Sequence, residues 1–146
     1  MKSIKQLYIL LFLLVLCLQV TGQDQRLLKT KVADVLALLP ASDNEQGKRV
    51  FQELLKLGDE GFVMITDGVT PNGNPAGTSS RYAVSLLTHY VTTPEDRSKI
   101  EQAYLVALSK ATDPEVKAYF ISNLKLVGSN ESVKPLAGYI NDKDVF

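Results

Sequence analysis

From about Gln25 onward, apolar residues recur at three- and four-residue steps instead of alternating. That spacing lines one face of a helix. Leu28, Val32, Val35, Leu36 and Leu39 form such a stripe over 25–39, which Pro40 closes. Val50, Phe51, Leu54, Leu55 and Leu57 form a second, capped by Asp43 or Asn44 and stopped at Gly58. A short third helix over 59–67 offers Phe62, Val63 and Ile65. A fourth restarts at Ser79 or Ser80 and turns Tyr82, Ala83, Leu86, Leu87, Tyr90 and Val91 inward. Thr93-Pro94-Glu95-Asp96 is a helix start: a capping hydroxyl, a proline in the first turn and acids at the positive end of the dipole. Ile100, Tyr104, Leu105, Ala107 and Leu108 follow it. Thr112-Asp113-Pro114-Glu115 repeats that start ahead of Val116, Tyr119, Phe120, Leu124 and Val127, with Gly128 as the stop. A last helix capped by Ser132 would put Pro135 in its first turn and Leu136, Tyr139 and Ile140 inside. No segment alternates convincingly, so the predicted class is all-α, built from short antiparallel helix pairs.

Between the third and fourth helices lies Gly68 to Ser79, which holds three of the nine glycines and two of the six prolines. Regular structure is not expected there. The segment has glycines but neither a Gly-Lys-Ser/Thr ending nor a preceding strand, so it is not a phosphate loop. A long loop in a compact domain is a candidate for binding.

The first 22 residues follow a different pattern. Met1 to Gln6 is a short positive head carrying Lys2 and Lys5, Leu7 to Val20 is apolar apart from Gln19, and Val20-Thr21-Gly22 ends it. This is the layout of a secretory signal peptide, with cleavage expected between Gly22 and Gln23. The apolar run falls short of the roughly 20 residues that cross a bilayer as a helix. Cys17, the one cysteine, follows Leu16 inside the run and reads as an apolar leader residue. The mature chain then has no disulfide, thiol nucleophile or thiolate metal site. Residues 23–146 carry 14 basic and 16 acidic side chains. That near balance lacks the clustered basic footprint of a nucleic-acid binder and the basic amphipathic helix of a membrane-surface binder. No nucleic-acid partner is expected, and no membrane contact after signal cleavage.

The stretch from Thr112 to Phe146 carries a family resemblance. Asp113-Pro114-Glu115-Val116 opens one helix pair and Asn141-Asp142-Lys143-Asp144-Val145 opens another, 29 residues from Asp113 to Asp142. With an inner Leu, a turn at Gly128 and Val133-x-x-Leu136, the pattern resembles a HEAT or PBS-lyase-type helical repeat. A looser copy spans 80–112, with Arg81-Tyr82-Ala83 in place of Val116-Lys117-Ala118. A third, without the Asp-Pro opening, spans 45–67. The resemblance implies an α-α superhelix over 23–146 in which each unit covers its neighbour's apolar face. The chain stops as a further unit opens, so continuation into a longer protein is the expectation. The order of leader, Lys31-Val32-Ala33-Asp34-Val35-Leu36, Leu54 to Phe62, and Ser80-Arg81-Tyr82 onward also resembles the N-terminal region of long exported proteins of Bacteroidetes-type bacteria. In those proteins helical repeats precede domains of the 3-keto-disaccharide hydrolase family. That resemblance implies a sugar-processing context in the envelope, and no catalytic residue carries over from it.

Candidate chemistry is sparse. His89 is the one histidine, and its helical neighbours Ser85, Leu86, Thr92 and Thr93 give a general base no acidic partner. Asp59-Glu60, Glu95-Asp96, Asp113/Glu115 and Asp142/Asp144 could pair for glycoside hydrolysis or calcium, but they stand at helix starts, where capping is the simpler role. Tyr82, Tyr90, Tyr104 and Tyr119 could line a sugar-binding surface, although helical spacing favours packing. Asn130-Glu131-Ser132 has the form of a glycosylation sequon. No catalytic, cofactor or metal residue is assigned. The expected function is a non-catalytic exported module that holds a protein partner or an adjoining domain of its own chain. The alternative is an accessory region of an envelope carbohydrate-active enzyme, with a carbohydrate as its ligand.

Overall fold

The computed structural model describes residues 27–140 and Lys143, and all of their regular structure is helical. The predicted leader, its Gly22–Gln23 junction, Cys17 and the expected opening of a further unit from Asn141 lie outside those residues. Helix α1 covers 27–36. It is followed by α2 (Asn44–Lys56), α3 (Gly58–Asp67), a 3₁₀ turn (Pro75–Gly77), α4 (Thr78–Tyr90), α5 (Pro94–Lys110), α6 (Pro114–Val127) and α7 (Asn130–Ala137). The expected caps of α2, α5 and α6 are in place. Asp43 Oδ1 accepts from Gln46 N at 2.8 Å, Thr93 Oγ1 from Asp96 N at 3.1 Å, and Asp113 Oδ1 from Glu115 N at 2.9 Å. Each takes up an amide that the first turn of a helix leaves without a partner. Gly58 joins α2 to α3 at φ +66°, a backbone that a side chain would strain.

The helices pack in two rows. α2 lies against α4 and α4 against α6, while α3 lies against α5 and α5 against α7. Contacts of α2 with α3, α3 with α4 and α5 with α6 tie the rows together. Leu54, Phe62, Ile65, Leu87, Ile100, Tyr104, Phe120 and Leu124 are buried along the seam between them. The rings of Tyr104 and Phe120 meet at 5.8 Å, and Tyr119 meets Phe120 edge-on at 5.6 Å.

The interior is not wholly apolar. Thr88 Oγ1 on α4 lies 3.0 Å from Tyr104 Oη on α5 and 2.8 Å from Asn123 Oδ1 on α6. Asn123 Nδ2 donates to Tyr119 O at 2.9 Å, and Val84 O is within reach of both hydroxyls. Each hydroxyl has one proton, so one consistent pattern has Tyr104 donating to Thr88 and Thr88 to Asn123. Burial drives the Tyr104 hydroxyl pKa far upward and keeps it a neutral donor. Glu101, only 2% exposed, holds the start of α7. Its Oε1 accepts from Ser129 N at 2.7 Å, from Ser129 Oγ at 3.1 Å and from Ser132 Oγ.

Several boundaries differ from the sequence expectation for identifiable reasons. α1 gives way to turns at 37–38 instead of running to Leu39, and α3 starts one residue early, at Gly58. α4 begins at Thr78 because Asn74 Oδ1 caps Ala76 N at 3.1 Å and Pro75 opens a 3₁₀ turn that feeds the helix. The buried face of α4 is also rotated. Ser80, Val84 and Thr88 point inward with Ala83 and Leu87, while Tyr82 is 45% exposed. The Thr88 hydroxyl finds its partners inside, which fixes that orientation. α7 starts from Ser129 instead of Ser132, since Glu101 fixes the Ser129 amide and hydroxyl. Pro135 therefore lies inside α7 beyond its first turn, and Ile140 is 71% exposed instead of inward-facing.

Burial alone would raise the Glu101 pKa, but the hydrogen bonds from Ser132 and Ser129 outweigh it and hold the group below its ordinary value of 4.5. A carboxylate with a depressed folded pKa stabilises fully above its ordinary value, and that contribution fades as the pH falls through the folded one. Glu101→Gln should lower stability at neutral pH by about 2 kcal/mol. It should also flatten the acid limb of a urea-unfolding series taken across pH. An unchanged acid limb in the variant would show that Glu101 is not the group responsible.

Candidate functional site

The segment from Gly68 to Gly77 is the least regular part of the described chain, yet it is tied down at both flanks. Arg81, one turn into α4, donates through Nε to Thr70 O at 2.8 Å and through Nη2 to Glu115 Oε2 on α6. The same Glu115 oxygen accepts from Asn72 N at 3.0 Å. The Arg81 guanidinium lies 4.3 Å from the centre of the Tyr119 ring, and Tyr119 Oη donates to Arg81 O at 2.9 Å. One Arg–Glu pair therefore clasps the loop to two helices, backed by a cation–π contact. Burial raises the Tyr119 pKa to about 12, partly offset by the neighbouring Arg81 charge, so its hydroxyl stays a donor at neutral pH.

So held, the loop forms a wall between two depressions. On one side a groove of about 310 Å³ is lined by Asn72, Asn74, Thr78, Arg81, Tyr82 and Tyr119. On the other, about 290 Å³ lies among Val69, Thr70, Pro71, Val116 and Phe120, with the Asp67–Lys110 ion pair (3.2 Å) at its edge. The buried Thr70 hydroxyl in this wall has no hydrogen-bond partner. The first groove presents an exposed phenol ring, two carboxamides and a hydroxyl, which suits recognition of a polar surface by stacking and hydrogen bonds.

No family model, curated protein or solved structure matches this chain.

The geometry brings few of the sequence candidates together. His89 is exposed, and its Nδ1 lies 2.8 Å from Ser85 O within its own helix. Among the carboxylates, Asp113 caps α6, Asp96 accepts from Thr93 Oγ1 at 2.6 Å, and Glu95 pairs with Lys99 at 2.7 Å. Asp59 and Glu60 occupy the first turn of α3. Asp142 and Asp144 lie outside the described residues. No cluster of three or more His, Cys, Asp or Glu suited to a metal ion occurs among the described residues. The tyrosines do not share a surface. Tyr104 is core and Tyr90 packs on Phe51 at 6.0 Å, so only Tyr82 and Tyr119 line the groove. The sequon is engaged in the fold, since the Ser132 hydroxyl is buried on Glu101.

Sequence reasoning missed the residues that shape the site. Arg81 and Glu115 are 34 positions apart, and nothing in the local pattern pairs them. Glu101 could have been noticed from its place on the stripe of Ile100, Tyr104 and Leu108, where a charge is out of keeping with the apolar face. Thr88 could likewise have been found between Val84 and Val91.

Loop closure depends on Gly77. A Cβ there would fall 2.1 Å from Thr70 Oγ1 and 2.6 Å from Thr70 N, so backbone would have to move. Gly77→Ala should cost about 1–3 kcal/mol in a denaturant titration. At Gly138 the nearest atom to an added Cβ is 3.6 Å away, and Gly138→Ala should stay within about 0.5 kcal/mol. Equal effects at the two sites would mean that the Thr70–Gly77 approach does not hold the loop.

Proposed function

We propose that this chain is an exported, non-catalytic helical-repeat module that holds a protein partner or an adjoining domain. Its mature part, after a leader ending at Gly22, stacks HEAT-like helix pairs into an α-α superhelix. The two-row packing supports this reading, with the closest pair, α5 and α6, joining adjacent expected units instead of the two halves of one. The first helices of the three expected units, α2, α4 and α6, follow one another in one row, and the second helices, α3, α5 and α7, follow in the other. A stack of this kind has each unit covered by its neighbours and leaves its flanks for recognition. The polar groups around the grooves also favour binding over chemistry: Glu115, Asp113 and Arg81 are each committed to holding helix starts or the loop. Among the described residues no helix is long and apolar enough to cross a membrane.

A second reading is favoured by one observation. The exposed Tyr82 ring stands beside Asn72, Asn74 and Thr78 in the first groove, an array that also suits a sugar. In that case the chain is an accessory region of an envelope carbohydrate-active enzyme, with catalysis elsewhere.

The two readings separate in one experiment on the full chain in its producing cell. A photo-crosslinking residue at position 82 should trap a discrete protein adduct, whereas one at Ser98 on α5 should not. The mature chain should begin at Gln23. Absence of any adduct at position 82, with protection of Tyr82 by an oligosaccharide instead, would transfer support to the second reading. Turnover of a glycoside by the purified chain would overturn both.

A further inference from the structure

The Asn72–Gly73 step in the loop wall has the geometry of a self-modifying site, independently of the function proposed above. Gly73 N lies 3.1 Å from Asn72 Oδ1, which holds the glycine nitrogen beside the side-chain carboxamide carbon. Both residues are exposed, and an added Cβ at Gly73 would meet nothing within 4 Å, so no side chain shields the approach. Gly73 adopts φ +88°, a conformation that glycine takes without strain and a residue with a Cβ would not.

The other described asparagines lack this arrangement. Asn74 precedes Pro75, whose nitrogen has no proton to lose and cannot close an imide. Asn44 and Asn130 open α2 and α7, and Asn123 is buried in α6, so helical hydrogen bonding constrains their backbones.

We propose that Asn72–Gly73 is a spontaneous deamidation site whose product unfastens the loop from Glu115. Hydroxide takes the Gly73 amide proton, and the nitrogen attacks Asn72 Cγ. The N–Cγ bond forms, the bond from Cγ to the side-chain nitrogen breaks, and ammonia leaves with a proton from water. Water then opens the cyclic imide at either carbonyl, giving aspartate or isoaspartate. The net change is addition of one water and loss of one ammonia, with no redox step.

The consequence follows from the clasp. Asn72 N donates to Glu115 Oε2, the oxygen that also accepts from Arg81. A carboxylate at position 72 sets a second negative charge close to Glu115 and offers Arg81 a competing partner. Isoaspartate additionally lengthens the main chain at this point and displaces Gly73 onward. Either product weakens the wall that separates the two grooves.

The test is incubation of the purified full chain at mildly alkaline pH, followed by peptide mapping with an isoaspartate-specific methyltransferase label. A synthetic peptide spanning 68–77 serves as the unfolded reference. Conversion should be confined to Asn72, run at least as fast as in the peptide, and vanish in Asn72→Gln. Amide exchange over 69–77 in Asn72→Asp should then lose about tenfold in protection, the size of one lost charge-assisted hydrogen bond. An intact Asn72 in the folded chain under conditions that convert the peptide would overturn the site. Conversion with unchanged loop protection in Asn72→Asp would overturn the unfastening.

Discussion

The Thr88 hydroxyl sits where α4, α5 and α6 meet, with hydrogen-bond partners on each. Buried as they are, these polar atoms must satisfy one another, because an orphaned one costs about 1–3 kcal/mol. Apolar packing would tolerate small slides of one helix along the next. The Tyr104–Thr88–Asn123 set does not, since a shift of a single residue breaks more than one bond. With α4 held in rotation and register, Tyr82 is turned outward, Arg81 is aimed at the loop and at Glu115, and the groove takes its shape.

The loop is the second level of that order. Its residues contribute little apolar burial beyond Val69, so it depends on directed bonds from helices already in place. Arg81 reaches Thr70 O and Glu115 at once, and Glu115 reaches Asn72 N. An exposed surface ion pair contributes little by itself. Here the guanidinium is mostly covered, lies over the Tyr119 ring and forms bonds to the chain backbone, so it acts as a clasp more than as a charge pair. The groove is therefore shared between the two levels: Asn72 and Asn74 come from the loop, Thr78, Tyr82 and Tyr119 from the helices, and where the loop stands is set by helix residues.

Much of the architecture was legible because it is written locally. Pro94 and Pro114 behind their caps, the stop at Gly128 and the three- and four-residue apolar spacing all act within one helix, and all appear as expected. The face of α4 departs from the local pattern because apolar spacing assigns Tyr82 to the core and overlooks Thr88, whose burial is decided by partners 16 and 35 residues away. The start of α7 departs from it for the same reason: a carboxylate on α5 determines which serine caps it. The candidate site was legible only as a loop. Its wall, clasp and groove arise from pairings across 34 and 43 residues that no local pattern encodes.

The register of the stack depends most on the Thr88 junction, and a double-mutant cycle tests it directly. Thr88→Val and Tyr104→Phe remove the two hydroxyls with little change of shape, and unfolding free energies of the wild type, both single variants and the double variant complete the cycle. If the hydroxyls fix the register of α4 on α5 together, the variants should couple by about 0.5–3 kcal/mol, with the double variant less destabilised than the sum. Additivity within about 0.3–0.5 kcal/mol would mean that the two hydroxyls act independently and that their contact does not set the register of α4 on α5.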